Sequence, residues 1–349
     1  MAAEHLRRQA AWCYRLGSPL YGRLLEEATR DCEAGGATWQ ILEGYEGGSR
    51  SSALALRFLG AVHRVVLEGL VPYLQRHYAS AGGAVCGEEE AWEDFRRALV
   101  SNRERIRDLV CRPVQTNEVG RCAALLGGFL MVAEMMELPL RLFEIGASAG
   151  LNLRWDCYRY EGLGMGWGDA SSPVRFEDIF EGAPPTLDGQ VSIVERAGCD
   201  TNPIDPCSEE GRLTLMSYVW PDQRERVVRL AGALEVAGRV PAPVERADAA
   251  SWIAKKLTSP CLGVTTVVFH SIVMQYLGHK GAREVTDLIE AAGRRATASA
   301  PFAWLRLEPR KGADGEWQYG VDLTTWPGGE ARLLAFTSPH GPPVRWLAD

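Results

Sequence analysis

The run LFEIGASAGLNLRW, residues 142–155, sets Glu144, Gly146, Ser148 and Gly150 at alternate positions where an apolar stretch gives way to small residues. Bare backbone at the end of a buried strand lets a ligand approach the main chain, and open parallel sheets bind ligands beyond the carboxyl ends of their strands. The spacing is G-x-x-x-G with serine between, which departs from the G-x-G-x-x-G of dinucleotide sites and disfavours a nicotinamide cofactor. Alone, the turn reads as a cofactor loop or as a tight strand-to-helix connection.

Other residues able to do chemistry lie further along. His270 directly follows TTVVF, so it is expected at the carboxyl edge of a strand, able to take a proton near neutral pH; the alternative is a hydrogen-bonded structural histidine. Ser271, Gln275 and Tyr276 follow, to orient a substrate or simply to cap and pack. MSYVWPDQRERVVRL (216–230) gathers Tyr218, Trp220, Asp222 and Gln223, and aromatic faces beside a carboxylate hold amines and other cations. The same residues also suit a helix start, with Pro221 at its first position and Trp220 packed inside. QTNEVGR (115–121) offers Gln115, Asn117, Glu118 and Arg121 just before the glycine turn, where a helix cap followed by exposed charge is the competing reading. His63, inside LGAVHRVVL, reads as a helix-packing residue.

These residues need elements to position them. Up to about residue 135 apolar residues recur at helical spacing, with Ser18 as N-cap and Pro19 opening one helix, and Thr116 or Asn117 capping another. From residue 140 short apolar runs alternate with helical stretches: 140–147, 191–200, 243–249, 263–272 and 302–309 read as strands, and 317–341 as two strands joined by Pro-Gly-Gly. The pattern predicts an α/β fold, a mostly parallel sheet with a C-terminal antiparallel hairpin, preceded by an all-helical N-terminal domain. The expected division is a helical cap over residues 1–110 and an α/β domain over 111–349, within which 157–190 is an insertion serving as a lid or part of a substrate pocket.

Composition bounds the partners. Of 349 residues, 46% are hydrophobic and 24% charged, the balance of a globular chain, and a formal charge of -7 argues against broad capture of nucleic acid or an anionic membrane. A small or peptide-like partner is therefore the default expectation. No apolar run reaches the ~18 to 20 residues of a membrane helix, and the N-terminus lacks a signal-peptide core, so the expectation is a cytoplasmic protein. Nine cysteines are scattered singly, without C-x-x-C pairs or histidines at metal spacing, and read as reduced thiols; no metal is expected.

The acid-glycine-serine-glycine turn resembles the first motif of class I S-adenosylmethionine-dependent methyltransferases, with serine in place of the middle glycine. The resemblance implies a Rossmann-like seven-stranded sheet and S-adenosyl-L-methionine as cofactor. It further implies that Glu144, Gly146, Ser148 and Gly150 line the cofactor, that Asp200 holds the ribose hydroxyls and that Asp248 lies beside the adenine. Arg121 and Asn117, from the preceding helix, would reach the methionine end, and His270, Tyr218 and Asp222 would serve the reaction. PVQTNEVGR, EIGASAGLNLRWD, GCDTNPID, SYVWPDQRER and VFHS also resemble a bacterial domain-of-unknown-function family over nearly the whole chain. What the resemblance implies is methyl transfer to a small molecule; aminocarboxypropyl transfer or cyclisation with the same cofactor, and adenosyl-ligand binding without catalysis, stand as alternatives.

Overall fold

Apolar residues at three- and four-residue spacing fold the first part of the chain into helices. These are α1 (Ala2–Arg15), α2 (Pro19–Glu33), α3 (Ala37–Leu42), α4 (Leu54–Leu67), α5 (Pro72–Gln75), α6 (Glu88–Ser101), α7 (Arg103–Val110) and α8 (Arg121–Met136). The computed structural model describes residues 2–45, 47, 53–84, 88–162, 164–312 and 315–347. No helix among them is long and apolar enough to cross a membrane. No disulfide joins any two of the eight described cysteines, and Cys86 lies outside the described residues.

The chain forms two compact units. One holds the residues up to Thr116 together with Ser208–Val228; the other holds Asn117–Cys207 and everything from Arg229 onward. The single cut expected after residue 110 therefore becomes a discontinuous one. Packing explains why: α9 (Glu209–Ser217) and the segment after it complete the helical core, where Trp220 meets Tyr21 at 6.4 Å between ring centroids. Arg64, only 4% exposed on α4, is tolerated there because it pairs with Glu68 at 2.8 Å and with Glu210. His63 is wholly buried between Ser80 Oγ (2.7 Å) and the Ser217 carbonyl (3.1 Å), and burial pulls its pKa down to about 4.

The second unit is built on an eight-stranded sheet. Its members are β1 (Leu140–Ile145), β5 (Ile193–Asp200), β6 (Val244–Arg246), β7 (Thr265–Ser271), β8 (Phe302–Lys311), β9 (Trp317–Trp326), β10 (Glu330–Ser338) and β11 (Gly341–Trp346), in the order β11-β10-β9-β8-β7-β1-β5-β6. Neighbours in the run β6-β5-β1-β7-β8 pair in parallel, and those in the run β8-β9-β10-β11 pair antiparallel. Seven strands were expected; β11 is the eighth. Its sequence, GPPVRW, hides it, because proline is compatible only with an edge position, which is where β11 lies.

Helices cover both faces. Helix α8 packs Phe129 on Phe269 at 5.1 Å on one side. On the other, α11 (Ala249–Lys256) and α12 (Gly278–Gly293) enclose Phe143, Val268, Trp304 and Trp326 in a second core. The connection from β1 to β5 departs from expectation. In place of a crossover α-helix the chain makes a 3-10 turn, Asn152–Cys157, and then a small sheet of β2 (Arg159–Gly162), β3 (Met165–Gly168) and β4 (Arg175–Phe176). Arg154 breaks the helical geometry at φ -107°, and Trp155 is drawn into a stack between Phe129 (4.3 Å) and Trp167 (5.2 Å). The end of this insertion pairs with β11 through Glu181 N–H to Val344 O (2.9 Å) and Val344 N–H to Ile179 O (2.8 Å). The insertion thus covers a sheet edge, which would otherwise present unpaired backbone groups.

Candidate ligand site at the carboxyl edge of the central strands

Strand β1 lies between β5 and β7, so the chain leaves it in opposite directions and a crevice opens at its carboxyl end. The glycine turn sits there. Gly146, Ser148 and Gly150 all have positive φ, at 70°, 52° and 67°. Glycine adopts this conformation without penalty, but serine does not. A Cβ on Gly146 would also fall inside the Val273 side chain.

Side chains hold the turn in this shape. Asp200 accepts hydrogen bonds from Ser148 N–H (3.0 Å) and Asn202 N–H (2.8 Å) through separate carboxylate oxygens. Asn117 Oδ1 accepts from Ala149 N–H (3.2 Å) and Leu151 N–H (2.8 Å), so it fastens the turn and is not the cap of α8. Buried Arg154 donates to the carbonyls of Gly150 (2.7 Å) and Val240 (2.7 Å). Cys199 lies beneath, its thiol pushed up to about 12 by burial and accepting from Gly146 N–H, which leaves it an inert thiol.

Glu144 closes the floor. It is 2% exposed, and its Oε2 has no hydrogen-bond partner. Burial pushes its carboxyl well above the usual carboxylate range; the bond from Asn152 and the positive charges of Arg121 and Arg154 oppose this only in part, and Asp200 adds to it. Asn152 faces Glu144 with its amide N–H because its Oδ1 accepts the Cys122 thiol at 3.2 Å.

Several other expected roles need correction. His270 is in register with Ile145 and therefore projects to the face covered by α12, whereas Glu144, in register with Phe269, projects to the α8 face. The sheet separates the two. His270 is fully buried: Nε2 accepts from Trp304 Nε1–H (3.0 Å) and Nδ1–H donates to Glu308 Oε1 (2.7 Å), so neither ring nitrogen is open to a substrate. Asp248 caps α11, accepting from Ser251 N–H (3.0 Å) and from the Ser251 hydroxyl. Arg121 donates to the carbonyls of Ser271 (2.9 Å) and Pro339 (3.1 Å), tying α8 to the end of β7.

Tyr218 and Asp222 belong to the helical unit and have structural partners there. Tyr218 donates to the Pro113 carbonyl (3.2 Å) and its ring fills the space beside Gly60. Asp222 accepts from the Ser18 hydroxyl (2.7 Å) and from Leu20 N–H (3.1 Å). Ser18 is the N-cap residue of α2, as expected, but its own hydroxyl makes no cap bond and Asp222 supplies the acceptor instead. Replacing Asp222 with alanine is expected to lower stability by about 1 to 2 kcal/mol. A chemical denaturation midpoint unchanged by the substitution would contradict that role.

One residue escaped the sequence reading. Glu308 lies one position past the Leu307–Ser271 register pair, and its Oε1 accepts from His270, from Val273 N–H (3.0 Å) and from Met274 N–H (3.4 Å). It holds the turn after β7, in which Ile272 is at φ 53°, a conformation that β-branched residues avoid. Burial alone would raise its carboxyl; the bonds from His270 and the turn outweigh this and hold it below the usual range.

The fold defines an α/β protein with its candidate site at the switch point of a mixed sheet. The family model described as "Uncharacterized protein conserved in bacteria (DUF2332)" matches residues 3–346, and the chain belongs to that family. No curated protein and no solved structure matches the chain.

Proposed function

We propose that the α/β unit is Rossmann-like, that it binds S-adenosylmethionine at the 144–151 turn, and that the protein transfers the methyl group to a small-molecule acceptor. The observation that carries the choice of ligand is the state of the turn's amides. Ser148, Ala149 and Leu151 donate their N–H groups to Asp200 and Asn117, and only a 3-10 turn follows. A pyrophosphate needs free N–H groups at a helix N-terminus. An adenosyl sulfonium needs neither, and its positive charge suits a site edged by the Asp200 carboxylate.

Strain supports the location. Ser148 and Ile272 stand at positive φ just beyond the two adjacent parallel strands β1 and β7. Such conformations cost on the order of 1 to 3 kcal/mol each and concentrate at ligand sites. Asp200 is the ribose acceptor in this reading, because each of its oxygens keeps a lone pair after its backbone bond. The bound cofactor supplies an already activated methyl group, so the protein has only to align an acceptor and exclude water.

The engaged ring of His270 favours a second reading, adenosyl-ligand binding without turnover. Product analysis separates the readings. Incubation with S-adenosylmethionine and an acceptor mixture is expected to yield S-adenosylhomocysteine. Methylthioadenosine would instead indicate aminocarboxypropyl chemistry, and intact cofactor would favour the binding reading.

A further inference from the structure

Glu308 raises a question that its role in the turn leaves open. Its Oε1 is saturated by three N–H donors, yet the side chain keeps 17% of its surface, and Oε2 accepts no hydrogen bond among the described residues. The two neighbouring arginines of β8 do not pair with it. Arg306 bonds Thr324 Oγ1 (3.1 Å) and lies over the Trp304 ring at 4.1 Å, and Arg310 pairs with Asp322 at 3.3 Å. His270 does not neutralise it either, because Trp304 donates to Nε2 and the one ring proton sits on Nδ1. The Glu308–His270 pair therefore carries a full negative charge. The charge is fixed beside the strained turn whose Val273 covers Gly146. The same turn carries Tyr276, which is 68% exposed.

We infer that Glu308 is the acceptor-side recognition group, its free carboxylate oxygen binding a cationic nitrogen, so that the small-molecule substrate is an amine. The inference rests on the adenosyl-ligand reading for the reaction but not for the charge recognition. A carboxylate held ionised by three donors is a poor proton acceptor and a good counter-charge, so the nitrogen it holds stays protonated and serves as the handle by which the substrate is recognised, not as the atom that is methylated. Its oxygen is fixed in direction because the other one is anchored. His270 acts as a positioning residue, orienting Glu308 from behind.

The test is calorimetric titration of the full chain, alone and with S-adenosylhomocysteine present, using ethanolamine, putrescine and phenethylamine against ethylene glycol, butanediol and phenylethanol. At least one amine is expected to bind roughly 10- to 100-fold more tightly than its matched alcohol. Glu308→Gln retains an acceptor for the turn but removes the charge, so it should abolish that preference and lower the melting temperature modestly while leaving S-adenosylhomocysteine affinity close to wild type. Equal affinity for amines and alcohols, no binding of any amine, or an amine preference that survives in Glu308→Gln would each overturn the inference. Should the variant fold poorly, the amine-to-alcohol comparison on wild type still decides. Loss of S-adenosylhomocysteine binding in wild type would count against the cofactor reading alone, since the amine preference is also measured without that ligand.

Discussion

Asp200→Asn is expected to weaken S-adenosylhomocysteine binding by about 100-fold or more, because two or more charge-assisted hydrogen bonds are at stake. Asp200 accepts from Ser148 N–H and Asn202 N–H through different oxygens. A carboxylate does this without conflict. An amide cannot, since either orientation turns its NH2 group toward one of the two backbone donors. The turn then loses the contact that keeps Ser148 at positive φ, and with it the group that the proposed reading assigns to the ribose. Affinity measured by calorimetry should fall, together with a smaller loss of stability. Unchanged affinity would remove Asp200 from the site.

Glu144→Gln is the second substitution with a large expected effect, and its signature is a dependence on pH. Burial holds the Glu144 carboxyl well above the usual range in the folded protein, whereas the unfolded chain titrates at about 4.3. Above that unfolded value the native state binds more protons than the unfolded one. Stability from this group is therefore fully present below the unfolded value and is lost as pH rises toward the folded one, by up to about 1.4 kcal/mol per pH unit. Glutamine keeps the shape and hydrogen-bonding capacity without the titration. The variant should match wild type near pH 4 and become progressively more stable than wild type as pH is raised to 8. Parallel stability curves for the two proteins would show that Glu144 is ionised in the fold.

Much of the architecture was legible because it rests on local pattern. The buried strand LRLFEI, the acids that end β5 and follow β6, and the Pro-Gly-Gly turn between β9 and β10 all follow from apolar runs and turn residues. The glycine turn was legible too, because only certain residues tolerate its backbone. What the sequence did not disclose depends on which face a residue takes and on distant partners. His270 ends a strand, as expected, but alternation sends it beneath α12, where Trp304 and Glu308 occupy both nitrogens. Glu308 was hidden because its importance comes from the register of β8 against β7. Asp222 looked like chemistry beside aromatic rings, yet its partners are Ser18 and Leu20, some 200 positions earlier. The missing crossover helix had the same origin: Trp155 belongs to an aromatic stack that only the three-dimensional path assembles.

The central claim is that the clamped turn at 144–151 holds an adenosyl ligand that carries no phosphate. The most direct measurement is isothermal titration calorimetry of the purified protein with S-adenosylmethionine, S-adenosylhomocysteine and NAD. Micromolar binding of the two adenosyl ligands without binding of NAD is the predicted result. Binding of NAD, or of none of the three, would contradict the claim and leave the clamped turn as a device for packing or for a different ligand.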